Sequence, residues 1–303
     1  MNAAHTPLTN AAHTSLTNTA HTPLTNTAHT PLTNAAHGPR ADVARGPRAA
    51  DVRVPVRCQR AGAGERPVRV LLLHGLGGGP STWHRFADLA APHLELLEAD
   101  LPWSATGTGE WSRQADATPW IRAALAAAGD VELVVAHSFA ANVLLEAAAA
   151  GGPPLAAVLV SPFYRSAPAE FDWATIESYL GGFHGILDDG LRVSSGDRLA
   201  AGLRRDMALR LRERLGPYGW MRFFDSYLRS PLLDTAAVTA PCLVVSGTDD
   251  LAAPPRDGRT LAMALPRARF EALPAGHLPM IEQAHRFAEL VGEFAATLPL
   301  EIT

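Results

Sequence analysis

Val131-Glu-Leu-Val-Val-Ala-His-Ser138-Phe-Ala-Ala-Asn-Val-Leu-Leu-Glu-Ala-Ala-Ala-Ala150 is the stretch on which the fold turns. Residues 131–136 make a short, nearly continuous apolar run, the pattern of a strand buried on both faces. From Phe139 the chain is rich in alanine and leucine, both strong helix formers, until Gly151-Gly152-Pro153 stops it. Only a sharp turn fits between strand and helix, and Ser138 sits on it. Small residues two positions to either side, Ala136 and Ala140, let the strand and helix approach each other. Read alone, Ser138 has two uses: as the N-cap of the helix, or as a hydroxyl raised above the end of a strand.

The same alternation continues outward in both directions. Val52–Arg60 alternates and reads as a strand, and Val68–Leu73 is a second buried strand. Ser81 to Ala91 has helical spacing, Leu94–Ala99 is a strand and Thr118–Ala128 a helix. Downstream, Leu155–Val160 is a strand, followed after a gap by strand Cys242–Ser246, helix Arg256–Leu265, strand Ala268–Leu273 and helix His285–Leu298. Strands and helices in turn at this spacing imply an α/β fold with a mostly parallel sheet covered on both faces. Residues 163–236 break the rhythm and read as an inserted helical cap, splitting the core into residues 51–162 and 237–303.

Two further signals stand at the carboxyl ends of strands, where open α/β sheets place their sites. His74-Gly75-Leu76-Gly77-Gly78-Gly79 follows Val68–Leu73, and no Gly-Lys-Ser/Thr follows it to make a phosphate loop. Gly247-Thr-Asp249-Asp250-Leu-Ala-Ala-Pro254 and Ala275-Gly276-His277 follow the last two strands. Asp250 read alone could cap a helix, and His277 could be an ordinary loop histidine.

Together these motifs resemble the α/β-hydrolase superfamily over nearly all of residues 55–298. Ala136-His137-Ser138-Phe139-Ala140 resembles its nucleophile elbow, with alanines where the common pattern has glycines. The resemblance implies Ser138 as nucleophile, His277 as base and Asp250, selected over Asp249 by its offset from Gly247 and Pro254, as the acid. The order Ser138, Asp250, His277 is the order of that fold. It also implies an oxyanion hole from the backbone N–H groups of Leu76 and Phe139, with His74 structural. Members with an Asp nucleophile are disfavoured by Ser138. Asp100-Leu-Pro-Trp103 departs from the Asp-x-x-Gly of the family, which places Trp103 at the mouth of the pocket.

Composition narrows the function. The chain has 303 residues, 47% of them hydrophobic, and a formal net charge of −4. It carries no basic stripe, so nucleic acid is not an expected partner. Its longest apolar runs fall far short of about 20 residues, so no membrane span is expected. The polar N-terminus lacks the apolar core of a secretory signal, and a cytoplasmic location is the expectation. Cys58 and Cys242 make neither a metal cluster nor a disulfide framework, and no metal or cofactor is expected. The absence of lysine excludes a Schiff base and a lysine base.

At the N-terminus His-Thr-Pro/Ser-Leu-Thr-Asn recurs from His5, His13, His21 and His29, and a second octad begins at Gly38 and Gly46. Each unit has too little apolar surface to offset its ordering entropy, so residues 1–50 are expected to be disordered. The insert holds eleven of the twenty aromatic residues. That excess points to a medium-sized apolar substrate beneath a mobile lid, with Trp103, Phe163, Trp173, Tyr179 and Trp220 as its contacts. The leading expectation is hydrolysis of a carboxylic ester or thioester through an acyl–Ser138 intermediate. The alternatives are a tailoring enzyme of secondary metabolism, polyketide-type, that eliminates or transfers an acyl group, and a ligand receptor without turnover. The sequence leaves the oligomeric state open.

Overall fold

The computed structural model describes residues 52–299. The octad-repeat tail, expected to be disordered, lies outside the described residues. In chain order the elements are β1 (Val56–Arg60), β2 (Val68–Leu73), α1 (His84–Leu89), β3 (Leu94–Ala99), α2 (Thr118–Ala128), β4 (Leu133–His137), α3 (Phe139–Ala149) and β5 (Ala156–Val160). Then follow α4 (Trp173–Ser195), α5 (Ala201–Leu228), β6 (Cys242–Gly247), α6 (Pro255–Ala264), β7 (Ala268–Leu273), α7 (Pro279–Glu282) and α8 (Ala284–Ala296).

The strands form one seven-stranded sheet in the order β1-β3-β2-β4-β5-β6-β7. Only β1 runs antiparallel, against β3. The other neighbours are parallel, from Val68 opposite Leu94 at one side to Gly247 opposite Leu273 at the other. The apolar runs have a direct cause in the two faces. Val134 and Ala136 of β4 point with Leu71 and Leu73 of β2 into a core closed by Ile121 of α2 and Leu144 of α3. Leu133 and Val135 point the other way, with Val70 and Leu72, toward Phe86 of α1 and Phe287 and Val291 of α8. A strand buried on both sides has no polar face, so it shows no alternation.

The expected boundaries shift most at two places. β1 begins at Val56 rather than Val52, and its register shifts between Cys58 and Arg60. The helix expected over Ser81–Ala91 is a 3₁₀ turn, Pro80–Trp83, running into the short α1. Pro80 pre-sets the φ of the tight first turn.

Between β5 and β6 the chain makes two long helices. Asp172 caps α4 by accepting the Thr175 N–H at 2.8 Å, and Gly196, at φ 56°, ends it. α5 is broken at Gly216-Pro217, where Gly216 leaves helical geometry at φ 65°. The two helices share a small apolar core of Phe183, Leu187, Ala208 and Leu215. Tyr227 joins α5 to the sheet domain: its hydroxyl donates to Asp257 at 2.8 Å and accepts from Arg165 Nε at 2.7 Å. Among the described residues no helix is long and apolar enough to cross a membrane.

Candidate active site

β4 ends at His137 and α3 begins at Phe139, so the chain must reverse within one residue. Ser138 does this at φ 55° and ψ −125°, a backbone region costly for any residue with a Cβ. Its own N–H is held by the Val160 carbonyl at 2.8 Å, and its carbonyl accepts from Ala141 at 2.9 Å. Gly75 packs so close that a Cβ there would come within 2.8 Å of His137 Nδ1 and 3.0 Å of Ser138 Cβ. The strain is thus fixed from several sides, and the hydroxyl is presented over the ends of the strands.

Ser138 Oγ lies 2.9 Å from His277 Nε2, and His277 Nδ1 lies 2.8 Å from Asp250 Oδ2. A carboxylate can only accept, so Nδ1 carries the imidazole proton and the lone pair of Nε2 faces the serine. The other oxygen of Asp250 accepts the N–H groups of Ala252 and Ala253, each at 2.9 Å. Burial pushes the Asp250 carboxyl up, but the imidazole beside it and those two N–H groups outweigh burial and hold it below its ordinary value. Burial likewise pushes the His277 imidazole down. The charge and hydrogen bond of Asp250 reverse this, helped by Asp189 and Glu282, and the imidazole ends above its ordinary value. This arrangement can take a proton from Ser138 and hold it on the ring. Asp249, the neighbour, is exposed, and its backbone N–H bonds to the Ala275 carbonyl.

Two residues not singled out in the sequence hold the histidine loop. Glu282, on α7, accepts the N–H of Gly276 at 3.0 Å and of Leu278 at 3.4 Å, one on each side of His277. His137 Nε2 donates to the His277 carbonyl at 2.9 Å. Burial, then the neighbouring His277, pushes the His137 imidazole down to about 3, so it is neutral at physiological pH. Their positions, five residues after His277 and one before Ser138, were the only available signals.

The turn after β2 lies beside Ser138. Gly77, at φ 71°, donates to the Trp103 carbonyl, and Gly78 donates back to Gly75. Among the described residues the N–H groups of Leu76 and Phe139 donate no hydrogen bond within the chain. His74 is fully buried beneath the turn, where its Nε2 accepts the Leu101 N–H at 3.1 Å. Burial pushes its pKa down to about 4, which fits the structural role expected for it. No group of three His, Cys, Asp or Glu side chains among the described residues is arranged to hold a metal ion.

A family model described as the alpha/beta hydrolase family matches residues 70–290. The chain belongs to the alpha/beta hydrolase family. Solved structures agree in fold. An enol-lactonase from Burkholderia xenovorans LB400 is 22% identical, with a TM-score of 0.54 over 80% of this chain and 96% of that one. A hydrolase from Oleispira antarctica is 16% identical, with a TM-score of 0.60 over 80% and 94%. An esterase from Rhodococcus sp. ECU1013 is 23% identical, with a TM-score of 0.56 over 81% and 95%. No curated protein matches the sequence.

In this hydrolase-fold chain a cavity of about 110 Å³ opens at Ser138 and His277, between the glycine turn and the inserted helices. Phe163 lines it, placed by a two-way bond between its backbone and the Asn142 side chain at 2.7 and 3.0 Å. Of the other expected contacts, Tyr179 lines an adjoining hollow that Asp250 and His277 also border, whereas the three tryptophans do not line the cavity. Trp103 is fully buried, packs edge-on against Phe139 and Trp111, and donates to the His74 carbonyl. Trp173 is 79% exposed at the start of α4. Tyr179 bonds the Ala252 carbonyl at 2.8 Å, and Trp220 stacks on Phe224. The apolar wall comes instead from Phe183, Leu187, Leu191, Leu211 and Phe223.

Proposed function

We propose that this hydrolase-fold protein cleaves a carboxylic ester or thioester of a medium-sized apolar substrate through an acyl–Ser138 intermediate. The reading is carried by the unbroken chain from Ser138 Oγ through His277 to the buried Asp250, with the serine facing an apolar cavity. In this mechanism Ser138 Oγ attacks the substrate carbonyl while His277 Nε2 takes its proton. Asp250 holds the ring in the tautomer needed and stabilises the imidazolium that forms. The N–H groups of Leu76 and Phe139 receive the developing oxyanion, an interaction worth about 3 kcal/mol per donor in comparable sites. His277 then gives its proton to the leaving alcohol or thiol. Water, activated by the same imidazole, releases the acid. The helices α4 and α5 act as the cap over the cavity, and the substrate is a small molecule that needs no cofactor.

The test is steady-state hydrolysis of acyl esters and thioesters of graded length. Ser138→Ala is expected to lower kcat by about 10³-fold or more with the fold retained. Near-full activity in that variant would mean that the reaction proceeds without acylation of Ser138.

A further inference from the structure

Two hollows of unlike charge adjoin the Ser138 cavity. One, of about 750 Å³, lies between α4 and the loop after β6, and Asp172, Asp188 and Asp189 line it together with Arg165 and Arg256. The other, of about 900 Å³, lies over the glycine turn, between α1 and the end of α4. Arg85 and Arg198 line it with His84 beside them, and no carboxylate is among its described side chains. Hydroxyls of Ser81, Ser104 and Thr106 add neutral donors. Gly77, Gly78, Thr82, Leu191 and Ser194 border both this hollow and the cavity at Ser138, so one bound molecule can lie across them.

Both guanidinium groups are held by backbone carbonyls. Arg85 donates to the Ile281 carbonyl at 3.1 Å. Arg198 donates to the carbonyls of Ser195 at 2.9 Å and Ser194 at 3.1 Å. Neither forms an ion pair among the described side chains. Carbonyl partners leave the positive charge in place, and nearby cationic groups attract an anion most strongly at low salt. The volume is that of a site for a substantial part of a small molecule.

We propose that this hollow binds an anionic group, a phosphate or carboxylate, on the part of the substrate remote from the carbonyl that Ser138 attacks. The proposal rests on the reading of Ser138 as the nucleophile and narrows its substrate class. The experiment compares kcat/KM within two matched pairs. Octanoyl-coenzyme A against octanoyl-N-acetylcysteamine places phosphates on the leaving thiol. The monophenyl ester of adipic acid against phenyl hexanoate places a carboxylate on the acyl chain.

The expected result is that at least one anionic member exceeds its neutral partner by about tenfold at low ionic strength, the scale of two partly exposed ion pairs. Which pair responds identifies the anion. The preference should shrink with added salt, collapse in the Arg85→Gln/Arg198→Gln double variant, and largely survive in Arg85→Lys/Arg198→Lys. Thermal midpoints of the variants report on folding. No preference in either pair, or a preference that persists in the glutamine double variant, would overturn the proposal. Labelling of Ser138 by a small uncharged fluorophosphonate separates the two readings. Labelling without anion preference overturns the hollow's role alone, and failure to label overturns both.

Discussion

At the residue scale, the acid can be separated from its neighbour by experiment. Asp250 has one oxygen on His277 and the other on two backbone N–H groups, whereas Asp249 is exposed and makes no bond to the imidazole. Asp250→Asn is expected to lower kcat by about 10³–10⁴-fold, because an amide can hold the wrong tautomer. Asp249→Asn should leave it within about threefold. Equal losses would remove Asp250 from the proposed mechanism. Glu282 calls for a different readout. His277 acts as a base only when neutral, and its pKa stands above the ordinary value, so kcat/KM should fall as pH drops through that raised value. Glu282→Gln keeps an oxygen for the Gly276 N–H but removes a charge that favours the imidazolium. The acid limb should therefore move to lower pH, as a pH profile of kcat/KM would record. A limb that stays in place would leave Glu282 with only the holding of the loop.

Ser138, Asp250 and His277 were legible because each follows a strand at a fixed short offset. The tryptophan contacts were not, since an aromatic side chain serves a core as well as a pocket. Trp103 closes the packing of Trp111 and Phe139, and Trp220 stacks within the insert, while the wall of the cavity combines leucines with Phe163, Phe183 and Phe223. Leucine spacing on a helix carries no sign of whether its apolar face meets protein or ligand.

At the scale of elements, β3, α2 and β7 begin and end where the sequence places them, because turn residues bound their apolar runs. The insert was read only as helical and irregular. Four glycines, Gly181, Gly182, Gly185 and Gly190, lie inside α4, and each costs a helix about 1 kcal/mol relative to alanine. A Cβ at Gly181 or Gly182 would meet nothing within 4 Å, so packing does not require glycine there. These residues leave α4 weak by composition. Gly181→Ala and Gly182→Ala should each slow amide hydrogen exchange across Trp173–Ser195 by about fivefold, the factor that about 1 kcal/mol supplies. Unchanged exchange would mean that α4 is held by its packing and that its glycines do not set its opening.

For the whole molecule, the sheet brings together groups far apart in the chain. Ser138 follows β4, Asp250 follows β6, His277 follows β7 and Leu76 follows β2, all at the carboxyl ends of parallel strands. Two apolar cores, one on each face, fix those ends against each other, so the spacing at the site is a property of the sheet as a whole. This assembly is expected to activate one serine hydroxyl. Reaction with a fluorophosphonate followed by peptide mass mapping tests it most directly, because the reagent needs the nucleophile and its base but no particular substrate. The expected result is stoichiometric modification of the peptide carrying Ser138, lost in His277→Ala. No modification of the folded protein, or modification at another residue while Ser138 stays free, would contradict it.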